Sequence, residues 1–269
     1  AESSGRVTQK LLMKECWSSL VHYIDFHTHL DSYKNQKELL EQLAGFGGTI
    51  VAASMDANSY KKNLQLEEKA KALGCSVRII PTFGIHPKEA LYAPQNLSVY
   101  DSLCEQSPLI GEIGMDFCWF KEASPQKQEE VFRYFLNYCN VSGKACVIHT
   151  KDAEKEICKI LEDYPKARPI IHWYDGPEDI FQEFMNRGYM TTFGCETSRS
   201  KHIQNLLKQT PLNQLLAETD NPDSEPWLGG SDNSVNLIKR VYSDIAQVLG
   251  LSLEDVGKII EENSIFLLN

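Results

Sequence analysis

Short apolar, β-branched runs alternate with longer segments of helical period along the 269-residue chain. The runs are VHYIDFH, GTIVAAS, VRIIPTFGI, LIGEIGMDF, ACVIHT, RPIIHW, YMTTFG and LLAETD, beginning near residues 21, 48, 77, 109, 145, 168, 189 and 215. Each has the length and apolarity of a parallel strand buried on both faces. The segments between them carry helix signals. SPQKQEEVFRYFLNYCNVSG opens on Ser124 as N-cap with Pro125 at the first helical position, places Val131, Phe135, Leu136 and Cys139 on one face, and stops at Gly143. The last segment begins at Ser252 with Asp255 three residues on, a variant of the capping box.

Eight strands alternating with helices predict an α/β fold, a (β/α)8 TIM-like barrel that could be distorted. A doubly wound open sheet is the alternative, because local pattern does not show closure. No linker, charge block or low-complexity tract interrupts the alternation, so residues 21–269 are expected to form a single barrel and residues 1–20 an N-terminal extension or remnant. A barrel would place its chemistry at the C-terminal ends of the strands.

A hydrophobic fraction of 42% supports a sizeable core. The formal net charge of -10 argues against holding anions by long-range attraction, although bound cations can reverse the local field. Eight cysteines without a C-x-x-C pair are expected to be reduced, buried thiols of a cytoplasmic protein. No run reaches the ~18 apolar residues of a membrane span, and the first residues lack the apolar core of a signal peptide. No membrane association and no obligate protein partner are implied.

The titratable residues gather at the ends of the strand-like runs: His27 and His29, His86, Glu112 with Asp116, His149, His172 and Asp220. His27 and His29, two apart, share a face if the strand continues that far. Such a cluster, with no opposing Lys or Arg, would be costly to desolvate unless cations were present. Imidazole and carboxylate without thiolate suit Zn, Mn, Fe, Co or Ni, with Mg also open. Six ligands, His27, His29, Glu112, His149, His172 and Asp220, are too many for one catalytic ion and fit two divalent metal ions, bridged by Glu112. Asp220 and Glu112 are the expected catalytic pair, Asp220 orienting a water and shuttling its proton.

The phrases IDFHTHLD, FGIHP, GEIGMDF, VIHTKDA, IIHWYDG and LLAETDNP, in this order from about residue 23 onward, resemble the metal-dependent deoxyribonucleases of the TatD family, within the amidohydrolase superfamily. The resemblance implies the same six metal residues. It also implies hydrolysis of DNA or oligonucleotide phosphodiesters, often from the 3′ end, with two divalent ions, and that His86 faces the scissile phosphate; a turn residue fixed by Pro87 is the other reading of His86. There are departures. Thr150, Lys151 and Asp152 stand where the family usually has Ser-Arg-Asp, exchanging a planar fork for a point charge that could still hold phosphate. Trp173, Tyr174, Asp175 and Gly176 replace Cys-Phe-Ser-Gly, with Asp175 expected to cap the next helix and Pro177 to begin it. The Arg-Asn-Glu-Pro segment usual after the eighth strand is absent. Trp119, Phe120, Trp173, Tyr174 and Trp227 are candidates for stacking on a base, with packing the expected role of Trp227. The alternatives are a small-molecule amide, lactone or phosphoester hydrolase of the same superfamily, and a barrel that binds without turnover.

Overall fold

The computed structural model describes residues 21–268, so the extension expected over residues 1–20 lies outside the described residues. All eight strand-like runs contain strands: β1 Ile24–Thr28, β2 Thr49–Ala52, β3 Arg78–Pro81, β4 Ile110–Asp116, β5 Ala145–Lys151, β6 Arg168–Ile171, β7 Met190–Phe193 and β8 Leu215–Ala217. Every pairing is parallel and between neighbours in sequence, in the orders β1-β2-β3 and β4-β5-β6-β7-β8.

Two seams join these sheets, and both lie at the ends that carry chemistry. At the first, Gly111 N of β4 donates to Phe83 O just after β3 (2.9 Å), and Glu112 N of β4 donates to Ser54 O just after β2 (3.0 Å). Between β8 and β1, Asp220 N donates to His27 O and His29 N to Asn221 O, each at 2.8 Å. The backbone of the expected ligands therefore links the first and last strands.

Helices α1 Gln36–Ala44, α2 Ala57–Ala72, α3 Asp101–Gln106, α4 Pro125–Ser142, α5 Glu154–Ile160, α6 Glu178–Asn186, α7 Lys201–Gln209, α8 Ser224–Trp227, α9 Leu237–Leu249 and α10 Leu253–Leu268 fill the connections. The β3–β4 connection departs from a regular barrel: it holds two 3-10 turns and only the six-residue α3. The sequence signals at the ends of α4 and the start of α10 correspond to real caps. Ser124 accepts from Lys127 N at the start of α4, and Gly143 ends it at φ 74°, a left-handed conformation that favours glycine. Ser252 Oγ accepts from Asp255 N (3.0 Å) before α10.

Packing fixes where the strand ends point. Tyr242 of α9 is fully buried, and its hydroxyl accepts from Ile24 N (3.0 Å) and donates to Ile24 O (3.2 Å), pinning the start of β1. Gln128 of α4 accepts from Asp116 N (2.7 Å) and donates to Asp116 O (2.9 Å), holding the end of β4. Gly114 lies at φ +145° opposite His149 of β5, where an added Cβ would stand 2.1 Å from the His149 carbonyl oxygen. No side chain other than hydrogen permits that approach. Among the described residues no helix is long and apolar enough to cross a membrane.

Candidate active site

The barrel brings all six expected ligands to one mouth, around the buried Glu112. Its Oε2 lies 3.3 Å from His27 Nε2 and 3.4 Å from His29 Nε2. Oδ1 of Asp220 approaches the same two nitrogens at 3.4 and 3.3 Å. The other oxygen, Oε1, lies 2.9 Å from both His149 Nδ1 and His172 Nε2, with His86 Nε2 at 3.4 Å. One carboxylate thus sorts five imidazoles into two groups.

This donor set fits cations. His27 Nε2 and His29 Nε2 stand 3.3 Å apart, as do His86 Nε2 and His149 Nδ1. Paired imidazole nitrogens at that distance repel through their lone pairs unless a proton or a cation lies between them. The groups His27–Glu112–His172, His27–His29–Asp220 and His86–Glu112–His149 each offer three donor atoms within 4.8 Å of one another. Neutral imidazole with carboxylate is the set that divalent transition ions take.

Without cations the cluster must share protons. Burial raises the Glu112 carboxyl, but the surrounding imidazoles, His86, His172 and His27 foremost, outweigh it and hold the group well below its ordinary value. Burial lowers His29, yet hydrogen bonds to Asp220 and Glu112 prevail and lift it to about 10. His86 falls to about 4, chiefly through burial. Burial and the neighbouring His172 lower His27. Such wide separation of like groups marks a site built around charge.

Two buried acids behind the cluster orient its rings. His149 Nε2 lies 2.9 Å from Asp116 Oδ2, and His172 Nδ1 lies 3.3 Å from Glu218 Oε2. A carboxylate on the outer nitrogen of a ligating histidine fixes its tautomer and raises its basicity. The sequence names Asp116 without a role and passes over Glu218, whose signal is its spacing of two from Asp220.

The cleft above the cluster measures about 410 Å³ and is lined by Lys88, Trp119, Phe120, Trp173 and Trp227 among others. His86 caps the turn, with Nδ1 accepting from Lys88 N (3.0 Å) at the start of the 3-10 turn that Pro87 opens, while Nε2 lies 3.4 Å from Glu112 Oε1. Lys151 does reach the cleft, but its Nζ donates to Asp175 Oδ1 (2.6 Å) and Trp173 O (3.2 Å) and lies 5.0 Å from the Trp119 ring centre. The expected cap by Asp175 is therefore corrected: α6 starts at Glu178 behind Pro177, with no side-chain cap, because the lysine takes the carboxylate. Tyr174 is packing, buried 5.3 Å from Phe181 with its hydroxyl on Pro177 O (2.6 Å). Trp227, expected to pack, is instead 61% exposed, 5.5 Å from Trp119 and 6.2 Å from Trp173. Lys88, an exposed ammonium 5.8 Å from the Phe120 ring centre, was not singled out by the sequence; its spacing of two from His86 is the only signal.

A parallel α/β barrel with imidazole and carboxylate gathered at the C-terminal strand ends defines a metal-dependent hydrolase. The sequence model of the TatD-related DNase family matches residues 24–269, and the chain belongs to that family. It is 27% identical over 251 residues to an uncharacterized metal-dependent hydrolase of Methanocaldococcus jannaschii, covering 91% of this chain and 96% of the relative. It is 24% identical over 267 residues to the deoxyribonuclease TATDN3 of Homo sapiens, covering 92% and 94%. The crystal structure of the TatD homolog YJJV of Escherichia coli K12 superposes with a TM-score of 0.77 at 20% identity, over 91% of this chain and 97% of that one.

Proposed function

We propose that the cleft hydrolyses DNA phosphodiesters near a strand end with two divalent cations, one held by His27, His29 and Asp220, the other by His149 and His172, and Glu112 spanning both. The observation that carries this reading is the division of Glu112, with Oε2 on His27 and His29 and Oε1 on His149 and His172. Cations bound there would lower the pKa of water towards neutrality and offset charge on the phosphoryl oxygens.

The chain's own groups do the rest. Asp220 borders the cleft with 23% of its side chain exposed, so its carboxylate can orient the attacking water and accept its proton. Asp116 keeps the ring of His149 turned inward through its hydrogen bond, and the Glu218 carboxylate, 3.3 Å from His172 Nδ1, acts on that ring by charge. His86 Nε2, 3.4 Å from Glu112 Oε1, would face a phosphate bound at the cluster, and Lys88 would add a cation at the rim. The name of the human relative supports the substrate class. A cleft of about 410 Å³ is the size of a small-molecule pocket, which supports a strand end over the middle of a long duplex.

The test combines elemental analysis of protein purified without chelator with hydrolysis of end-labelled single-stranded DNA in Mg, Mn or Co, beside a panel of lactones. Ladders shortening from one end, and their loss in Glu112→Ala with the fold retained, are expected. Lactone turnover with intact oligonucleotides would transfer the site to small-molecule chemistry.

A further inference from the structure

We propose that the wall formed by Trp119, Trp173 and Trp227 is a nucleobase subsite that Asp175 keeps neutral by occupying the ammonium of Lys151. The substrate class rests on the phosphodiesterase reading above; the subsite itself rests on contacts that reading does not use.

The two sides of the cleft differ in chemistry. On the side of the turn after β3, Lys88 offers an exposed cation beside Phe120 and His86. On the other side three indoles converge, Trp119 from the loop after β4, Trp173 after β6 and Trp227 after β8, with Trp227 5.5 Å from Trp119 and 6.2 Å from Trp173. Trp119 and Trp227 are 44% and 61% exposed, so their faces are open to a ligand, whereas Trp173 is buried against the wall. Large exposed indoles side by side are uncommon on a surface without a partner.

Among the described residues Lys151 is the one cation embedded in this wall, and its charge is already engaged. Asp175 Oδ1 stands 2.6 Å from Nζ, the Trp173 carbonyl 3.2 Å, and the Trp119 ring lies 5.0 Å away. An ammonium with these partners has little left for a phosphate, and a phosphate would meet the Asp175 carboxylate besides. A flat, uncharged ring meets neither obstacle and gains stacking on Trp119 or Trp227. The pair thus divides the cleft: phosphate towards Lys88 and the metal cluster, base towards the indoles.

Calorimetric titration of the metal-loaded full chain with thymidine 5′-monophosphate and with 2-deoxyribose 5-phosphate separates base from phosphate. The nucleotide is expected to bind at least about tenfold more tightly. Trp227→Ala and Trp119→Ala should each remove most of that preference, and Trp227, being so exposed, can be replaced without disturbing the core. Asp175→Asn should strengthen binding of the sugar phosphate severalfold and so narrow the ratio from the other side. Equal binding of the two probes, a preference that survives both tryptophan changes, or no binding of either at millimolar concentration would overturn the subsite. Preference without DNA hydrolysis would remove the phosphodiesterase reading and leave the subsite standing; hydrolysis without preference would do the reverse.

Discussion

His149 is held between two carboxylates, with Nδ1 2.9 Å from Glu112 Oε1 and Nε2 2.9 Å from Asp116 Oδ2. Asp116 has no exposed surface and is itself fixed, its Oδ1 accepting from Cys118 N (2.8 Å) and Trp119 N (2.6 Å). Rotation of the ring away from Glu112 would leave a buried charge without its partner. Asp116→Asn keeps the shape and removes that charge, so it is expected to weaken metal binding about 10- to 100-fold. Glu218→Gln should act likewise through His172. Metal titration monitored by calorimetry measures both, and an unchanged affinity in Asp116→Asn would deny the acid its role.

Gly114 ties this site to the fold. Its φ of +145° and the 2.1 Å separation between a built Cβ and the His149 carbonyl oxygen leave no room for a methyl group. In Gly114→Ala, β4 and β5 must part where they carry Glu112 and His149. The expected cost exceeds about 3 kcal/mol, or folding fails altogether. Thermal unfolding checks it, and a variant that melts within a few degrees of the parent would show that the strands can give way.

Much of this arrangement is legible in the sequence, for particular reasons. The buried strands announce themselves as apolar runs, and titratable residues at their ends stand out against those runs, which is how His27, His29, Glu112, His149, His172 and Asp220 can be found. Ser124, Pro125 and Gly143 act locally, so their effects can be read locally. What escapes is pairing between residues distant in the chain. Asp175 follows a strand and precedes a proline, which favours a cap, but its partner Lys151 is 24 residues away. The exposure of Trp227 depends on how α8 sits over the mouth, and no local pattern records that. The split into sheets of three and five strands likewise falls at two seams, β3–β4 and β8–β1, which no single strand's pattern records.

Glu196, in the turn after β7, supplies a pH signature separate from the cluster. Burial raises its carboxyl from 4.5 to about 7, with the negative charge of Glu218 adding to the shift; Oε1 accepts from Gly194 N (3.2 Å) and Oε2 has no partner. Since the folded pKa lies above the unfolded one, the native state binds the proton more tightly, and the associated stability is full below pH 4.5 and declines up to about pH 7. Glu196→Gln mimics the protonated form and keeps an acceptor for Gly194. Urea unfolding in chelator between pH 5 and 8 should show the variant gaining on the parent as pH rises, by up to about 3 kcal/mol. Parallel pH profiles would mean that the carboxyl ionises as easily folded as unfolded.

Glu225, only 1% exposed, receives both Arg199 and Arg240, and Arg199 also donates to Leu228 O (3.0 Å). Arg199 comes from the turn after β7, so it fastens α8, and with it Trp227, to the body of the barrel. Loss of this arginine leaves Glu225 with one partner and Leu228 O without its donor, at an expected cost of about 1–3 kcal/mol. Neither Arg199 nor Glu225 belongs to the donor groups around Glu112, so Arg199→Ala should leave metal content unchanged while amide exchange in the segment from 224 to 230 quickens. If Trp227 forms part of a base subsite, the preference for thymidine 5′-monophosphate over the sugar phosphate should fall in the same variant. Exchange rates equal to those of the parent would show that Arg240 holds the segment unaided, and that the arginine after β7 has no part in placing the indole.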